Sequence, residues 1–103
     1  AFARYVSVIP EAERGDLLMA FHRRLTSPAW EERIRAARAW ARWEGETISI
    51  AGPSALPTRF HEDRFVEAFA CIENHYFVNK GFFETDDWLL QQAPRLRHIP
   101  CRI

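Results

Sequence analysis

Between Phe65 and Phe77 the chain reads Phe-Val-Glu-Ala-Phe-Ala-Cys-Ile-Glu-Asn-His-Tyr-Phe. At about 100° per residue, Phe65, Phe69, Ile72 and Tyr76 line up as one apolar stripe. Val66, Ala70 and Phe77 widen it, and Arg64, Glu67 and Asn74 fall on the opposite face. The pattern predicts a helix that begins near His61-Glu62-Asp63, where acidic residues suit the positive end of the helix dipole, and ends about Asn79-Lys80-Gly81. Glu73 interrupts the stripe, lying inside the apolar arc between Phe69 and Phe77.

Upstream, Trp30, Ile34, Ala37 and Ala41 recur at spacings of four, three and four. They predict a helix from Pro28 to about Glu44, with Ser27 as N-cap, Pro28 at the first position and Gly45 as its end. Glu44 continues the apolar seam. Glu31, Arg35, Arg38 and Arg42 occupy the other side, as solvated charge with one i,i+4 Glu–Arg pair. Before this helix, Glu11 to Arg14 predicts a helical turn and Gly15 an interruption. Asp16 then caps a run in which Leu17, Leu18, Phe21 and Leu25 share a face. The apolar lead from Ala1 to Pro10 is too short to assign. Glu46 to Arg59, with Gly52, Pro53 and Pro57, reads as a surface loop. Thr85-Asp86-Asp87 opens a short helix through Leu89 and Leu90 that Pro94 closes. The expected fold class is all-α, with three main helices and a short fourth.

Composition narrows the class of protein. A chain of 103 residues, 48% hydrophobic and 27% charged, has room for about one globular domain and is not a disordered tail. Fourteen basic residues balance fourteen acidic ones, so no net field gathers nucleic acid or an anionic membrane, and neither partner is expected. The two cysteines, Cys71 and Cys101, have no Cys-x-x-Cys spacing and fit a reducing cytoplasm better than a disulfide scaffold. No apolar run approaches the roughly 20 residues of a membrane span. Ala1 to Pro10 lacks a signal-peptide core. The chain starts without Met and ends on an apolar, strand-like Pro-Cys-Arg-Ile, which marks it as an expected piece of a larger protein.

Candidate chemistry reduces to two carboxylates. None of Ser7, Ser27, Ser49 and Ser54 sits in a Gly-x-Ser-x-Gly elbow, and Gly52-Pro53-Ser54-Ala55-Leu56 fails at its last place. Cys71 reads as a packed thiol. His22, His61, His75 and His98 show no short ligand spacing, so neither a metal nor another cofactor is expected. Glu44 and Glu73 remain, each at a position where its helix predicts a hydrophobic residue. A helix-end glutamate such as Glu44 is ordinarily solvated or capping. Burying Glu73 unpaired costs several kcal/mol. Residue types alone leave two answers open for it, an internal arginine or a cationic ligand.

Several runs of this sequence resemble the helical cap of proline iminopeptidases. They are Ile9-Pro10-Glu11-Ala12-Glu13-Arg14-Gly15-Asp16, Phe21-His22-Arg23-Arg24-Leu25-Thr26-Ser27, Trp43-Glu44-Gly45-Glu46-Thr47, Phe69-Ala70-Cys71-Ile72-Glu73-Asn74-His75-Tyr76-Phe77, Gly81-Phe82-Phe83-Glu84 and His98-Ile99-Pro100. The resemblance covers nearly the whole chain in order, the loop with Gly52, Pro53 and Pro57 being its least similar part. It implies a cap, residues 1–98, inserted into an α/β-hydrolase domain above a Ser-His-Asp triad, with 99–103 starting a core strand. It also implies that Glu44 and Glu73 bind the positively charged nitrogen of an N-terminal proline in a peptide substrate. The triad lies outside this sequence, so the fragment is expected to be inactive alone. Two alternatives stand beside this reading: the cap of another α/β-hydrolase acting on an amide or ester, and a non-catalytic helical protein-interaction module.

Overall fold

The computed structural model describes residues 2–48 and 56–102, and they are helical wherever they are regular. Five α-helices follow in order: α1 Phe2–Ser7, α2 Leu17–Leu25, α3 Trp30–Ile48, α4 Asp63–Val78 and α5 Trp88–Gln92. Short 3-10 segments at Glu11–Asp16, Thr58–His61, Lys80–Phe82 and Ala93–Leu96 link or extend them. The expected all-α architecture of three main helices and a short one is present as α2, α3, α4 and α5. The unassigned apolar lead forms α1, whose Tyr5 stacks on Phe21 with ring centroids 4.5 Å apart. Ile99–Arg102 has no regular structure. A strand needs a neighbour to pair with, and no strand exists among the described residues.

Local chemistry explains where the helices start. Asp16 Oδ1 accepts from the Met19 backbone N–H at 3.1 Å and caps α2 as its sequence predicts. Before α3, Ser27 Oγ accepts from the Ala29 N–H at 3.2 Å, and Arg33 Nη1 donates to the Ser27 carbonyl at 2.7 Å. The 3-10 turn ahead of α2 is pinned by Glu13, whose carboxylate accepts from Arg23 and Arg24 at 2.6–3.0 Å. Those two guanidinium groups hold the Glu13 carboxyl down at about 2.

α2, α3 and α4 pack against one another, and the residues between them are mostly small. Ala20 of α2, Ala36, Ala37 and Ala41 of α3, and Ala70 of α4 are all buried, so the backbones approach closely around the larger Phe21, Ile34, Trp40 and Val66. Polar clasps fix the α3–α4 alignment from outside: Arg33 Nε donates to Glu67, and Arg38 binds Asp63 with two bonds of 2.8 Å.

Four sequence expectations are corrected. Gly45 does not end α3, which runs on to Ile48 with Gly45 buried inside it. A Cβ at Gly45 would lie 2.7 Å from Leu56 Cδ2, so this glycine makes room for Leu56, while the middle of the expected surface loop, residues 49–55, lies outside the described residues. Trp30, expected in the α3 seam, is largely exposed, and Trp40 fills the core instead. The i,i+4 ion pair on α3 joins Arg42 to Glu46 at 2.7 Å, rather than using Glu31. Asn74, expected on the polar side of α4, is 1% exposed. The row Val66–Ala70–Asn74 is the one α4 turns inward, because Ala70 lets the other helices approach, while Ile72, Tyr76 and Phe77 of the expected stripe stay exposed.

The turn after α4 is left-handed. Lys80, Gly81 and Phe82 have φ of 51°, 65° and 61°. Gly81 takes this conformation without cost, and Phe82 is held there with its ring against Tyr76 and His75 at 5.4 and 5.3 Å.

Candidate functional site

Glu44 lies near the C-terminal end of α3 and Glu73 in the second half of α4, the helix packed beside it. Both are partly buried. Neither takes part in an ion pair among the described residues, although the chain carries many arginines. The internal-arginine answer to Glu73 is therefore not the one this fold uses. Its carboxylate Oε2 instead accepts a hydrogen bond of 2.9 Å from the indole Nε1–H of Trp40.

The two carboxylates are within electrostatic reach of each other. Burial, and then the negative charge of Glu73, raise the Glu44 carboxyl above its ordinary value. Tyr5, brought in by α1, is pushed up to about 12 by burial and by the charge of Glu44. It is a neutral phenol at any working pH. The arrangement is thus two acidic groups, one neutral hydroxyl and nearby rings, with no cation paired to either carboxylate among the described residues. Trp43 stacks on Tyr5 at 5.4 Å, and Trp40 lies 6.1 Å from both Tyr5 and Phe77.

Sequence reasoning placed Phe69 and Phe77 beside Glu73, and both remain one helical turn away from it. Phe77 is in contact distance of Trp40, whereas Phe69 turns toward Phe60 and Phe65, at 5.5 and 5.7 Å. Those three rings, with Gly45, Ile48 and Leu56, line an apolar cleft of about 370 Å³ on the α3–α4 border. Neither glutamate lines it. A separate cleft of about 530 Å³ between α1 and α3 holds Arg4, Arg35, Arg38 and Arg42. Its Glu46 is already engaged by Arg4 and Arg42, and the four arginines beside Glu31 and Glu46 give it a cationic lining that does not suit an amine.

Three contributors to this region were not read from the sequence. Trp40 lies beside the predicted α3 seam and was detectable as an aromatic three residues after Ala37 and one before Ala41. Tyr5 belongs to the lead that was too short to classify. Asn74 carries the third: its Nδ2 donates to the Leu18 carbonyl at 3.1 Å, and its Oδ1 lies 2.8 Å from His22 Nδ1. Since the amide nitrogen is committed to a carbonyl, Oδ1 must accept, and His22 carries its proton on Nδ1. This bridge ties α4 to α2 one residue from Glu73.

Cys71 is a packed thiol, with Sγ 3.6 Å from the Leu25 carbonyl and burial raising its pKa. No group of three or more His, Cys, Asp or Glu residues among those described is arranged to hold a metal ion. No described helix is long and apolar enough to cross a membrane.

No protein-family model matches the chain. Among curated proteins it is 50% identical over 103 residues, its whole length, to the "Probable proline iminopeptidase" of Leptolyngbya boryana, covering 32% of that protein. It is 49% identical over 100 residues to the "Proline iminopeptidase" of Xylella fastidiosa strain Temecula1, a match of 97% of this chain and 32% of the relative. Against the "Proline iminopeptidase" of Arabidopsis thaliana the identity is 44% over 104 residues, all of this chain and 27% of the relative. The chain spans about a third of the length of the curated relatives it matches.

Proposed function

We propose, on the premise that this chain is over its whole length a relative of proline iminopeptidases, that it is the substrate-recognition cap of a serine aminopeptidase releasing N-terminal proline from peptides. In this reading residues 1–98 form the cap, and 99–103 begin a strand of a hydrolase domain that lies outside this chain. That domain supplies a Ser-His-Asp triad and the backbone donors for the oxyanion. The parent enzyme works in the cytoplasm. Glu44 and Glu73 bind the substrate amine.

The observation that carries this reading is a pair of partly buried carboxylates on adjacent helices, neither of them paired to an arginine among the described residues. A secondary ammonium brings one charge and two N–H donors, so two acceptors satisfy it and fix the neighbouring scissile bond over a nucleophile. Aromatic side chains such as Phe77 and Trp43 suit the pyrrolidine ring as walls. The interaction-module alternative pairs each glutamate with an arginine of this chain or of a partner, and pairing within the chain is missing among the described residues.

In the full-length protein, Glu73→Gln is expected to lower kcat/KM for a prolyl amide by about 10- to 100-fold, since it removes a charged acceptor, and to change turnover of an uncharged ester little. Equal losses on both substrates would remove amine recognition from Glu73 and favour a capped hydrolase of another substrate class.

A further inference from the structure

Among the described residues, Glu73 is the one of the two glutamates whose carboxylate accepts a hydrogen bond. The Trp40 indole that donates to it is 4% exposed. Its ring meets Phe21 edge-on at 5.4 Å and Tyr5 edge-on at 6.1 Å, and Phe77 lies 6.1 Å away. An indole N–H can only donate. A ring packed on these sides is held in place, so its N–H anchors Oε2 of Glu73, while Oε1 accepts no hydrogen bond among the described residues. The helix bearing Glu73 is itself held in rotation by the buried Asn74 bridge to Leu18 and His22. No hydrogen bond among the described residues ends on the Glu44 carboxylate. Its backbone carbonyl accepts from Thr47 Oγ1 at 2.9 Å.

We propose that Trp40 is a positioning residue that makes the amine clamp asymmetric. Its N–H holds Glu73 as the preset acceptor, and Glu44 closes on the ligand as the adjustable one. This rests on the amine-clamp reading of the two glutamates. Preorganisation of one arm confines the ordering cost of binding to the other arm. It also predicts that the effects of Trp40 and Glu73 are not independent, since one acts only through the other.

The test is a double-mutant cycle in the full-length enzyme with Trp40→Phe, Glu73→Gln and their combination. Trp40→Phe keeps an aromatic ring and removes the donor. It is expected to raise KM for a prolyl amide about tenfold, with little change in kcat and little change on an uncharged ester. The double variant should be no worse than Glu73→Gln alone. Equal losses on amide and ester, a fully additive double variant, or an unchanged KM would each overturn the positioning role. If Glu73→Gln itself fails to discriminate amide from ester, the clamp reading falls; if it discriminates and Trp40→Phe is neutral, only the present inference falls. An independent measurement needs no change at Trp40. The ¹⁵N-indole proton resonance of Trp40 should move upfield in Glu73→Leu, which deletes the acceptor. An unmoved resonance would show that the bond does not exist in solution.

Discussion

A carboxylate whose pKa is raised by its surroundings changes what pH does to it, and Glu44 is that residue here. Burial is the larger cause and the charge of Glu73 the smaller. Between the ordinary glutamate value and the raised one, the folded site keeps a proton that the unfolded chain has released. The stability tied to Glu44 is therefore full below the ordinary value and is lost as pH rises through the raised one. Cation binding has the opposite sign, because an ammonium needs the ionised form and must displace that proton. In the full-length enzyme, kcat/KM for a prolyl amide is expected to fall as pH drops through the Glu44 value, which burial and Glu73 raise above its ordinary one. A Glu44→Gln variant should lose that acid limb and run at a lower plateau. An unchanged limb in this variant would assign it to another group. Tyr5 does not complicate the profile, since it titrates only at about 12.

Helices present a carboxylate usefully only if their rotation is fixed, and α4 is fixed by a polar residue. Asn74 satisfies the Leu18 carbonyl and the His22 ring together, at full burial. Replacing it by leucine would leave the partly buried His22 ring and Leu18 carbonyl without these bonds. This is expected to destabilise the parent protein by about 1–3 kcal/mol, measured as a lowered denaturant midpoint at constant slope. A midpoint equal to wild type would mean that α4 is set by apolar packing alone. On α3 the corresponding device is steric. The helix runs past Gly45, and a glycine is needed there because Leu56 and Phe60 occupy the space a side chain would fill.

The molecule as a whole is longer than a packed domain of its size. Its radius of gyration is 16.7 Å, against about 13 Å for a compact chain of 100 residues. Among the described residues nothing after α4 belongs to the buried core, and Ile72, Tyr76, Phe82, Leu89 and Leu90 are exposed, the last at 76%. Apolar surface of that kind is seldom left to water. Expressed by itself, the 103-residue chain is expected to self-associate, with a sedimentation coefficient that rises with concentration. It should show no hydrolysis of prolyl-naphthylamide, because no elbow serine is in the sequence. Turnover by the purified chain would overturn the proposed division between a recognition cap and a separate catalytic domain.

Helix type and extent were largely legible in the linear pattern. The Asp16 cap, the run of α4 from Asp63 and the α5 turn closing near Pro94 all follow from local rules that depend on residues within a turn or two. So did the two glutamates, because each breaks a periodicity. Whether they come near each other was not legible, since that depends on how α3 and α4 cross, and the crossing is set by buried alanines distant in sequence. The same applies to Asn74 and Trp40. A 3.6-residue period identifies a broad apolar arc but not which edge of it meets the neighbouring helix. By itself the sequence determined the helices and the two misplaced carboxylates. Only the tertiary structure decided that Glu73 answers to a tryptophan and not to an arginine, because a partner 33 residues away is chosen by packing and not by local pattern.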